Sequence, residues 1–562
     1  MIKRLIPLLL VISIVACQTA IKKERITGRI TDSAMVVSAH PLASRAGSEI
    51  LQKGGNAIDA AIATQLVLAV VHPSAGNVGG GGFMVVRLND GSAYTLDYRE
   101  TAPSGATTNM YLGETGEVIK GLSETGHLAS GVPGTVAGLA EAHKKFGKLP
   151  WKELVQPAID LAMDGFILTE HEAEGLNYIQ EDLEKFNSIL PNHLMNAWKA
   201  GDSIRHTDLG YALERIRDNG RAGFYEGKTA DLIVEEMKRG NGLITHEDLQ
   251  AYQAIWREPI TGEYKNYKII SMPPPSSGGI ALIQLLKSVE PYPIQEWGWN
   301  TAPTVHLMTE AERRVYADRA AYLGDPDFFE VPVDKITHPV YIEERMKTFD
   351  PQKATPSRDI KEGVLQPGES SQTTHLSVID QYGNAVAVTT TLNDGYGSRV
   401  VVAGAGFILN DEMDDFSMKP GVPNMYGAIG GEANKIMPGK RMLSSMTPTI
   451  VEKDGHLLMV VGTPGGTTII TSVFQTILNV LEHNMTMQEA VTAKRFHSQW
   501  IPDTIQPEFG ALLKDDSLQL IRYGHTFESR SSIGRVDAIL VLANGKLEGG
   551  ADPRGDDAAD GF

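Results

Sequence analysis

The sequence predicts an α+β protein in which antiparallel hairpins and groups of helices follow one another along the chain. Three pairs of runs rich in β-branched residues each enclose a turn signal, at residues 89–91, 381–384 and 454–455. Residues 134–257 instead carry mainly the 3.6-residue apolar period of helices. Strands joined by tight turns, with helices gathered elsewhere, are typical of an α+β architecture.

The composition is that of a large globular protein with an acidic balance. Of the 562 residues, 42% are hydrophobic and 21% are charged, which is ample material for one large core or for two halves that share one. The net charge of −18 argues against nucleic-acid partners, because these need a basic footprint. We therefore expect an anionic substrate to be held by local cations and not by the overall field.

The single cysteine, Cys17, follows a sequence typical of an export signal. Lys3 and Arg4 supply a positive start, and residues 5–16 are apolar but too few for a mature transmembrane helix. The pattern resembles a bacterial lipoprotein signal, whose cleavage leaves a lipidated cysteine at the mature N-terminus. The alternative is an ordinary secretory signal with an incidental cysteine. In both cases we expect an exported protein of the periplasm or cell envelope.

Residues 36–99 predict a short strand and two helices, followed by a hairpin. A short strand at 36–39 precedes helices over 41–53 and 56–71, and the second helix is apolar nearly all round, so we expect it to be buried. The hairpin follows over 83–99. Four glycines at 79–82 lack the lysine and the strand–loop–helix order of a phosphate loop. Close backbone packing, or a backbone that lines a pocket, explains them better.

A long helix and a polar stretch dominate the middle of the chain. The helix is predicted over 304–323 and carries six charged residues, which we expect to form a solvated face with paired charges. Residues 350–371 are polar and rich in proline and glycine. Such a stretch suits a cleavage point, but it is equally typical of any linker.

The back of the chain repeats the pattern of hairpin, loop and helix. A hairpin is predicted over 373–392 and a second over 448–461, with an acidic run at 410–416 and a long irregular segment between them. Residues 463–466 then lead directly from the second hairpin into an apolar helix over 467–481.

Thr373 opens the first of these hairpins, and two interpretations fit it. In the ordinary one, its threonines lie on the polar face of a hairpin. In the other, the peptide bond before Thr373 is cut and the residue becomes a chain end. A free α-amine has a pKa of about 8, so near neutral pH it can accept the proton of its own residue's hydroxyl. One residue would then supply both nucleophile and base.

Two glycines at a strand-to-helix junction form a second candidate. Gly465 and Gly466 precede the predicted helix, where backbone N–H groups have no intrahelical partner and point outward along the helix axis. Such groups can stabilise an oxyanion, although a simple glycine turn is an equally good local explanation.

Charged and hydroxyl side chains nearby offer further contacts. Ser444 and Ser445 can bind a carboxylate or cap a helix, and Asp414 and Asp415 can bind an amine or calcium or form a solvated turn. Arg99, at a strand end, can bind a carboxylate in a forked geometry or pair with a neighbouring glutamate.

Several common catalytic motifs are missing from the sequence. It has no HExxH, GxSxG, zinc-ligand spacing or EF-hand loop, and a pair of vicinal cysteines is impossible with Cys17 alone. We therefore predict neither a metal nor another cofactor.

Many motifs in the same order resemble those of γ-glutamyltranspeptidases, from about residue 34 to the C-terminus. They comprise the sequences GGNAIDAA at 54–61, GGGGF at 79–83, DYRE at 97–100, QTTH at 372–375, GNAVAVT at 383–389, DDFS at 414–417, KRMLSSMTPT at 440–449, PGG at 464–466 and ADPR at 551–554. Residues 394–397 and the tail after 554 are less typical of the family.

The resemblance implies roles at the reacting bond. Thr373 would be the nucleophile, freed by autocatalytic cleavage at Gln372–Thr373, and Thr391 would orient its hydroxyl and line the substrate site. The backbone of Gly465 and Gly466 would stabilise the tetrahedral oxyanion, with Gly466 also contacting the substrate.

The resemblance also implies a site for the γ-glutamyl headgroup and a lid. The α-carboxylate would be held by Arg99, Ser444 and Ser445. The α-amine would be held by Asn393, Glu412 and Asp415. A loop over 420–435, with Tyr426, would cover the pocket.

The implied fold is a four-layer αββα sandwich of the N-terminal nucleophile hydrolase type, formed jointly by two chains after self-cleavage. The expected divisions are a lipoprotein-type signal at 1–16, a linker at 17–34, a large subunit at 35–372 and a small catalytic subunit at 373–562. The expected activity is γ-glutamyl transfer and glutathione hydrolysis, with amino acid or dipeptide acceptors.

Two alternatives stay open at this stage. One is a cephalosporin (glutaryl) acylase of the same superfamily, whose substrate lacks the α-amine. Glu412 and Asp415 argue against it, because two carboxylates facing an uncharged methylene are unfavourably desolvated. The other is an unprocessed, inactive binding lipoprotein that keeps γ-glutamyl recognition.

Overall fold

The structure of the protein is a computed structural model that describes residues 25–361, 373–419, 422, 424–425 and 430–562, apart from the side chain of Asn192. Three residues to which the sequence assigns a role, Cys17, Gln372 and Tyr426, lie outside the described residues.

Most of the predicted strands are present, within one or two residues of the expected ends. In chain order the strands are β1 Arg29–Thr31, β2 Met35–Ser38, β3 Gly81–Arg87, β4 Ala93–Tyr98, β5 Phe166–Ile167, β6 Ser203–Ile204, β7 Ile255–Arg257, β8 Ile260–Tyr264, β9 Tyr267–Ser271, β10 Thr374–Ile379, β11 Ala385–Thr391, β12 Thr449–Lys453, β13 His456–Gly462, β14 Phe496–His497, β15 Gln506–Pro507, β16 Asp537–Val541, β17 Leu547–Gly550 and β18 Ala558–Gly561.

The helices include every one that the sequence predicts in the described chain. They are α1 Pro41–Gln52, α2 Ala57–Val71, α3 Thr135–Phe146, α4 Trp151–Asp164, α5 Glu170–Tyr178, α6 Gln180–Phe186, α7 Thr207–Asn219, α8 Ala222–Tyr225, α9 Gly227–Arg239, α10 His246–Ala251, α11 Gly278–Val289, α12 Ile294–Trp297, α13 Ala302–Tyr322, α14 Val333–Ile336, α15 Pro339–Met346, α16 Thr468–Leu481, α17 Met487–Thr492 and α18 Lys514–Tyr523. Among the described residues, none of these helices combines the length and the apolar character needed to cross a membrane.

Two seven-stranded antiparallel sheets lie face to face at the centre of the described structure. Sheet I has the order β18-β2-β10-β11-β3-β4-β7, and sheet II has the order β1-β17-β16-β13-β12-β9-β8. Each sheet combines strands that precede Thr373 with strands that follow it. The two sides of the predicted cleavage point therefore share one pair of sheets.

Helices cover the outer face of each sheet, which confirms the αββα sandwich. The central strands alternate accordingly, because successive side chains of a strand point to opposite faces. Leu376 and Val388 join the core beneath α1 to α4, whereas Ile379 and Ala387 join the core shared with sheet II. Helices α11, α16 and α17 pack on the far side of sheet II.

The turn between β10 and β11 is held by one buried aspartate. Asp380 accepts hydrogen bonds from the backbone N–H groups of Tyr382 and Asn384, both at 2.9 Å, and from the Asn384 side chain at 2.7 Å. It also accepts the N–H of Ala57 at 2.9 Å, at the first residue of α2. The turn is thereby tied to the most deeply buried helix of sheet I.

Three sequence expectations are corrected by the structure. Part of the expected linker, Arg29–Thr31, is a strand that pairs with β17. The charged residues of α13 are not solvated but buried, because the helix is enclosed on all sides. The hairpin of β10 and β11 has no polar solvent face, since both strands are buried throughout.

We expect Asp380→Ala to lower the free energy of unfolding by about 3 kcal/mol, because several donors lose a charged acceptor in a buried turn. The urea midpoint of unfolding measures the change. Asp90→Ala is the matched control, since Asp90 lies in an exposed hairpin turn, where its carboxylate accepts the N–H and the hydroxyl of Ser92. Equal shifts for the two variants would contradict the role given to the Asp380 contacts.

Candidate active site

Thr373 lies at the start of a central strand, directly opposite Thr391. Thr374 pairs with Thr390 in the β10–β11 ladder, so that the next pair outward is Thr373 and Thr391. Their Oγ1 atoms are 3.4 Å apart, and both residues are buried. The register of the hairpin therefore places two hydroxyl groups together at the end of sheet I.

Backbone contacts fix Thr391 in this position. Its Oγ1 accepts the N–H of Asn393 at 2.8 Å, and its carbonyl accepts the Asn77 side chain at 2.9 Å. The glycines before β3 pack directly against this strand, because a Cβ on Gly80 would lie 2.1 Å from the Thr391 carbonyl oxygen. Close backbone packing is thus the reason for the four consecutive glycines.

Gly465 and Gly466 form the junction between β13 and α16. Their φ angles are 141° and 54°, in the region that favours glycine. The junction is held by Thr468, whose hydroxyl donates to the Gly465 carbonyl at 2.7 Å, and by Tyr316, whose hydroxyl donates to the Thr467 carbonyl at 2.5 Å. Backbone N–H groups at such a helix start are available to a negatively charged oxygen.

Arg99 follows β4 and is surrounded by carboxylates. One of its terminal nitrogens contacts Glu412, the other lies 2.5 Å from Asp415, and Glu100 is 3.7 Å away. The guanidinium is only 1% exposed. One buried cation is thus shared by three acidic side chains.

Burial and close packing change the pKa values of Arg99 and its three carboxylate neighbours. Burial raises the pKa of Glu412 and of Asp415, although the nearby Arg99 guanidinium opposes both shifts. Burial likewise raises the pKa of Glu100 to about 8, against the lowering effect of Arg99. Burial acts to lower the pKa of Arg99, but the three carboxylates outweigh it and hold that pKa above its ordinary value.

Ser444 and Ser445 lie shortly before β12 and also line the pocket. Ser444 is held by backbone contacts to the segment before α11, where its carbonyl accepts the N–H and the hydroxyl of Ser277 at 2.8 and 2.6 Å. The hydroxyl oxygen of Ser445 accepts a hydrogen bond from Arg319 at 3.0 Å.

Arg319 is the site residue that the sequence analysis missed. It belongs to α13, whose charges were expected to be solvated, yet it is 7% exposed and lines the same pocket as Thr373. A signal was present in the sequence. At 100° per residue, the six charges between 310 and 319 are spread around the whole helix, which a single solvated face does not explain.

Asn393, Asp415 and Asn424 also line the pocket. Asn393 has a φ of 84° and donates from its side chain to the Asp411 carbonyl at 3.2 Å. Asn424 donates to the second carboxylate oxygen of Asp415 at 3.0 Å. Asp415 therefore links Arg99 to Asn424.

The structure brings most of the predicted site residues to one small pocket. It is lined by Arg99, Arg319, Thr373, Thr391, Asn393, Asp415, Asn424, Ser444, Ser445, Met446, Gly466, Thr467 and Ile469. Glu412 and Gly465 are not part of the lining and stand behind it. The space left is about 20 Å³, room for about one water molecule, because the side chains contact one another.

Two other features lie apart from this pocket. A cavity of about 550 Å³ is enclosed by α5, the end of α2 and residues 394–399, and it shares no lining residue with the pocket. His306, Glu310 and His525 have ligand atoms within 4.8 Å of one another, a spacing suitable for a metal. Glu310 is however paired with two arginines, one of which also contacts His525, so that positive charge already occupies the cluster.

Comparison with known proteins gives consistent matches. A family model described as gamma-glutamyltranspeptidase matches residues 43–562. The chain is 46% identical over 540 residues to the glutathione hydrolase proenzyme of Escherichia coli (strain K12), which covers 94% of this chain and 92% of that protein. The likeness extends to both sides of Thr373.

Solved structures agree with the sequence matches. Cephalosporin acylase from Bacillus halodurans superposes with a TM-score of 0.83 at 26% identity, over 97% of this chain and 98% of that chain. A Helicobacter pylori gamma-glutamyltranspeptidase chain is 45% identical with a TM-score of 0.57, over 60% of this chain and 97% of that chain.

The raised pKa of Glu100 predicts a pH-dependent stability. Between its ordinary value of 4.5 and about 8, the folded protein holds a proton that the unfolded chain has lost, so stability falls as pH rises through this range. We expect Glu100→Gln to reduce the loss of thermal stability between pH 5 and pH 8. Glu114→Gln, on the surface, removes the same charge and is the control. Parallel melting profiles of the two variants would refute the prediction.

Proposed function

The chain belongs to the γ-glutamyltranspeptidase family, and we propose that it is a self-processing γ-glutamyltransferase and glutathione hydrolase with Thr373 as nucleophile. The observation that carries this proposal is the 3.4 Å contact of the Thr373 and Thr391 hydroxyls, in a pocket that also holds a guanidinium and a carboxylate. A γ-glutamyl group ends in an α-carboxylate and an α-ammonium. The pocket offers a complement for each charge.

Maturation is the first proposed reaction. The Thr373 hydroxyl attacks the carbonyl carbon of Gln372, the C–N bond breaks, and the acyl group moves to Oγ1. Water then hydrolyses this ester, which restores the hydroxyl and leaves a carboxylate on Gln372. The products are a large subunit ending at 372 and a small subunit over 373–562, whose first residue carries a free α-amine.

Acylation follows the same chemistry with an external amide. The α-amine of Thr373, with a pKa of about 8, accepts the hydroxyl proton while Oγ1 attacks the γ-carbonyl carbon. Thr391 orients the hydroxyl. The N–H groups of Gly465 and Gly466 stabilise the negative oxygen of the tetrahedral intermediate. The leaving amine takes the proton from the Thr373 ammonium, which leaves a γ-glutamyl ester on the enzyme.

Deacylation completes the cycle. Water gives hydrolysis and free glutamate, whereas the amine of an amino acid or dipeptide gives transfer. Either nucleophile loses a proton to the α-amine as it attacks the ester carbonyl carbon, and the bond to Oγ1 breaks as the Thr373 ammonium returns that proton to Oγ1. A covering loop with Tyr426 is part of the proposal and is supported by the sequence motif alone.

Headgroup binding requires an exchange of partners within the pocket. The α-carboxylate is proposed to bind Arg99 with Ser444 and Ser445, and the α-ammonium to bind the carboxylates that Arg99 releases, with Asn393. Since Arg99 already contacts Glu412 and Asp415, the substrate replaces each internal contact with one of the same kind. Charge compensation is thereby kept in a pocket with room for about one water molecule.

A glutaryl acylase is the second candidate, and the likeness to the cephalosporin acylase structure favours it. A glutaryl group keeps the carboxylate but has a methylene in place of the aminomethine. Asp415 and Glu412 would then lose their contact with Arg99 and gain no ammonium in return. The observed acidic pair therefore supports the γ-glutamyl substrate.

The N-terminal sequence supports a proposed localisation. Residues 1–16 are proposed to be removed on export and Cys17 to be lipidated, so that the enzyme is anchored to a membrane of the cell envelope. The support is the position of Cys17 directly after an apolar run with a positive start.

We expect Thr373→Ala to yield one uncut chain without activity, because the variant has no hydroxyl to attack the Gln372 carbonyl. Intact mass spectrometry and hydrolysis of a γ-glutamyl anilide are the measurements. Thr373→Ser should still be cut, at the wild-type rate or more slowly, since it keeps the hydroxyl.

The neighbouring threonine offers a matched control. Thr374 is buried beside Thr373, and its hydroxyl has no hydrogen-bond partner among the described residues, so Thr374→Ala should be cut normally. Cleavage of the Thr373→Ala chain would contradict the assignment of Thr373 as the nucleophile. A wild-type chain that stays whole and inactive would instead favour the binding lipoprotein.

Lipidation has its own test. The wild-type protein expressed from its full sequence should partition with the detergent phase and carry the mass of a diacylglyceryl cysteine, whereas Cys17→Ala should stay in the aqueous phase or keep its signal. Wild-type protein that is soluble and begins at another residue would show an ordinary secretory signal.

A further inference from the structure

We infer that Arg319 is a positioning residue that makes the site selective for substrates with an α-carboxylate, acting through Ser445 and through its own charge, which has no direct ion pair. The inference deepens the proposed function and rests on it. It concerns a residue of α13, a helix of the large subunit, whereas Ser445 belongs to the small subunit.

The guanidinium of Arg319 is fixed by two hydroxyl groups. Its Nε donates to the Ser277 hydroxyl at 2.9 Å and its Nη2 donates to the Ser445 hydroxyl at 3.0 Å. Because both donors belong to one planar, rigid group, the two contacts define the position of the guanidinium. Ser277 in turn donates to the Ser444 carbonyl, which joins both serines of the pocket to this arginine.

The contact also determines where the Ser445 proton goes. A serine hydroxyl has one donor and two acceptor positions. Because an Arg319 N–H uses an acceptor position of Ser445, the hydroxyl hydrogen must point elsewhere. Among the described residues no acceptor takes it, and Ser445 lines the pocket. An anionic oxygen of a bound substrate is the complement of this free donor.

The charge of Arg319 has no direct ion pair in the described part of the chain, and the Asp415 carboxylate attracts it only from a longer distance. No carboxylate there lies within 4.0 Å of it, in contrast to Arg99, which has three. Burial correspondingly lowers the pKa of Arg319 from its ordinary value. A buried cation that is bound only to neutral hydroxyls is unfavourable, and a substrate carboxylate would compensate it.

The experiment compares three anilides with the wild-type enzyme and with Arg319→Gln. γ-Glutamyl anilide has the carboxylate and the amine, glutaryl anilide has only the carboxylate, and γ-aminobutyryl anilide has only the amine. We expect the KM of the two carboxylate-bearing compounds to rise about 10- to 100-fold, as for the loss of a charge-assisted contact. Their kcat and the KM of γ-aminobutyryl anilide should change less than threefold.

Two further variants test whether the KM change of Arg319→Gln is only a result of structural damage. Arg314→Gln removes another buried arginine of α13, which pairs with Glu310 and does not line the pocket, and it should leave the ratio of the three KM values unchanged. Arg319→Lys keeps the charge but cannot reach both serines with a fork, so its KM should lie between those of wild type and Arg319→Gln.

If Arg319→Gln does not fold, Ser277→Ala gives the same test in milder form, since it removes one of the two anchors of the guanidinium. Equal KM changes for all three anilides, or none, would overturn the inference and leave the proposed function standing. A wild-type enzyme that is uncut and turns over no γ-glutamyl anilide would overturn both.

Discussion

The antiparallel register of β10 and β11 is the constraint on which the rest of the site depends. Because Thr374 pairs with Thr390, Thr373 faces Thr391, and a slip of one residue would turn the side chains of the strand to the opposite face of sheet I. The turn that Asp380 closes fixes this register at the far end of the hairpin. A polar turn at one end of the hairpin thus helps to fix the distance between two hydroxyl groups at its other end.

Charge compensation is the second condition that the pocket satisfies. Arg99 is held by buried carboxylates, and the space between the side chains is about 20 Å³. In the free site the charge of Arg99 is therefore paired internally, and little space is left. A ligand with one positive and one negative group can replace these contacts without leaving any buried charge alone, whereas a ligand with a single charge cannot. In the proposed function, this balance of charges favours a zwitterionic headgroup.

Much of the fold was accessible from local sequence patterns, because turn residues and apolar periods depend on near neighbours. The hairpins and the ends of α2, α3, α4 and α16 were predicted within one or two residues. The αββα arrangement and the grouping of the site residues came from the family resemblance. The burial of α13 was not predicted, since its charges pair with distant partners. Arg319 meets Ser445 across 126 positions, a contact that no local pattern reports.

The sharing of both sheets by the two polypeptides affects how the mature protein unfolds and reassembles. Each sheet contains strands from both sides of residue 373, so breaking one peptide bond frees no separable piece. The uncut chain folds with all its strands at a fixed effective concentration, whereas the two processed polypeptides, once unfolded, would have to meet by diffusion. Reassembly of the processed protein would therefore depend on concentration, and its persistence would be set mainly by its rate of unfolding.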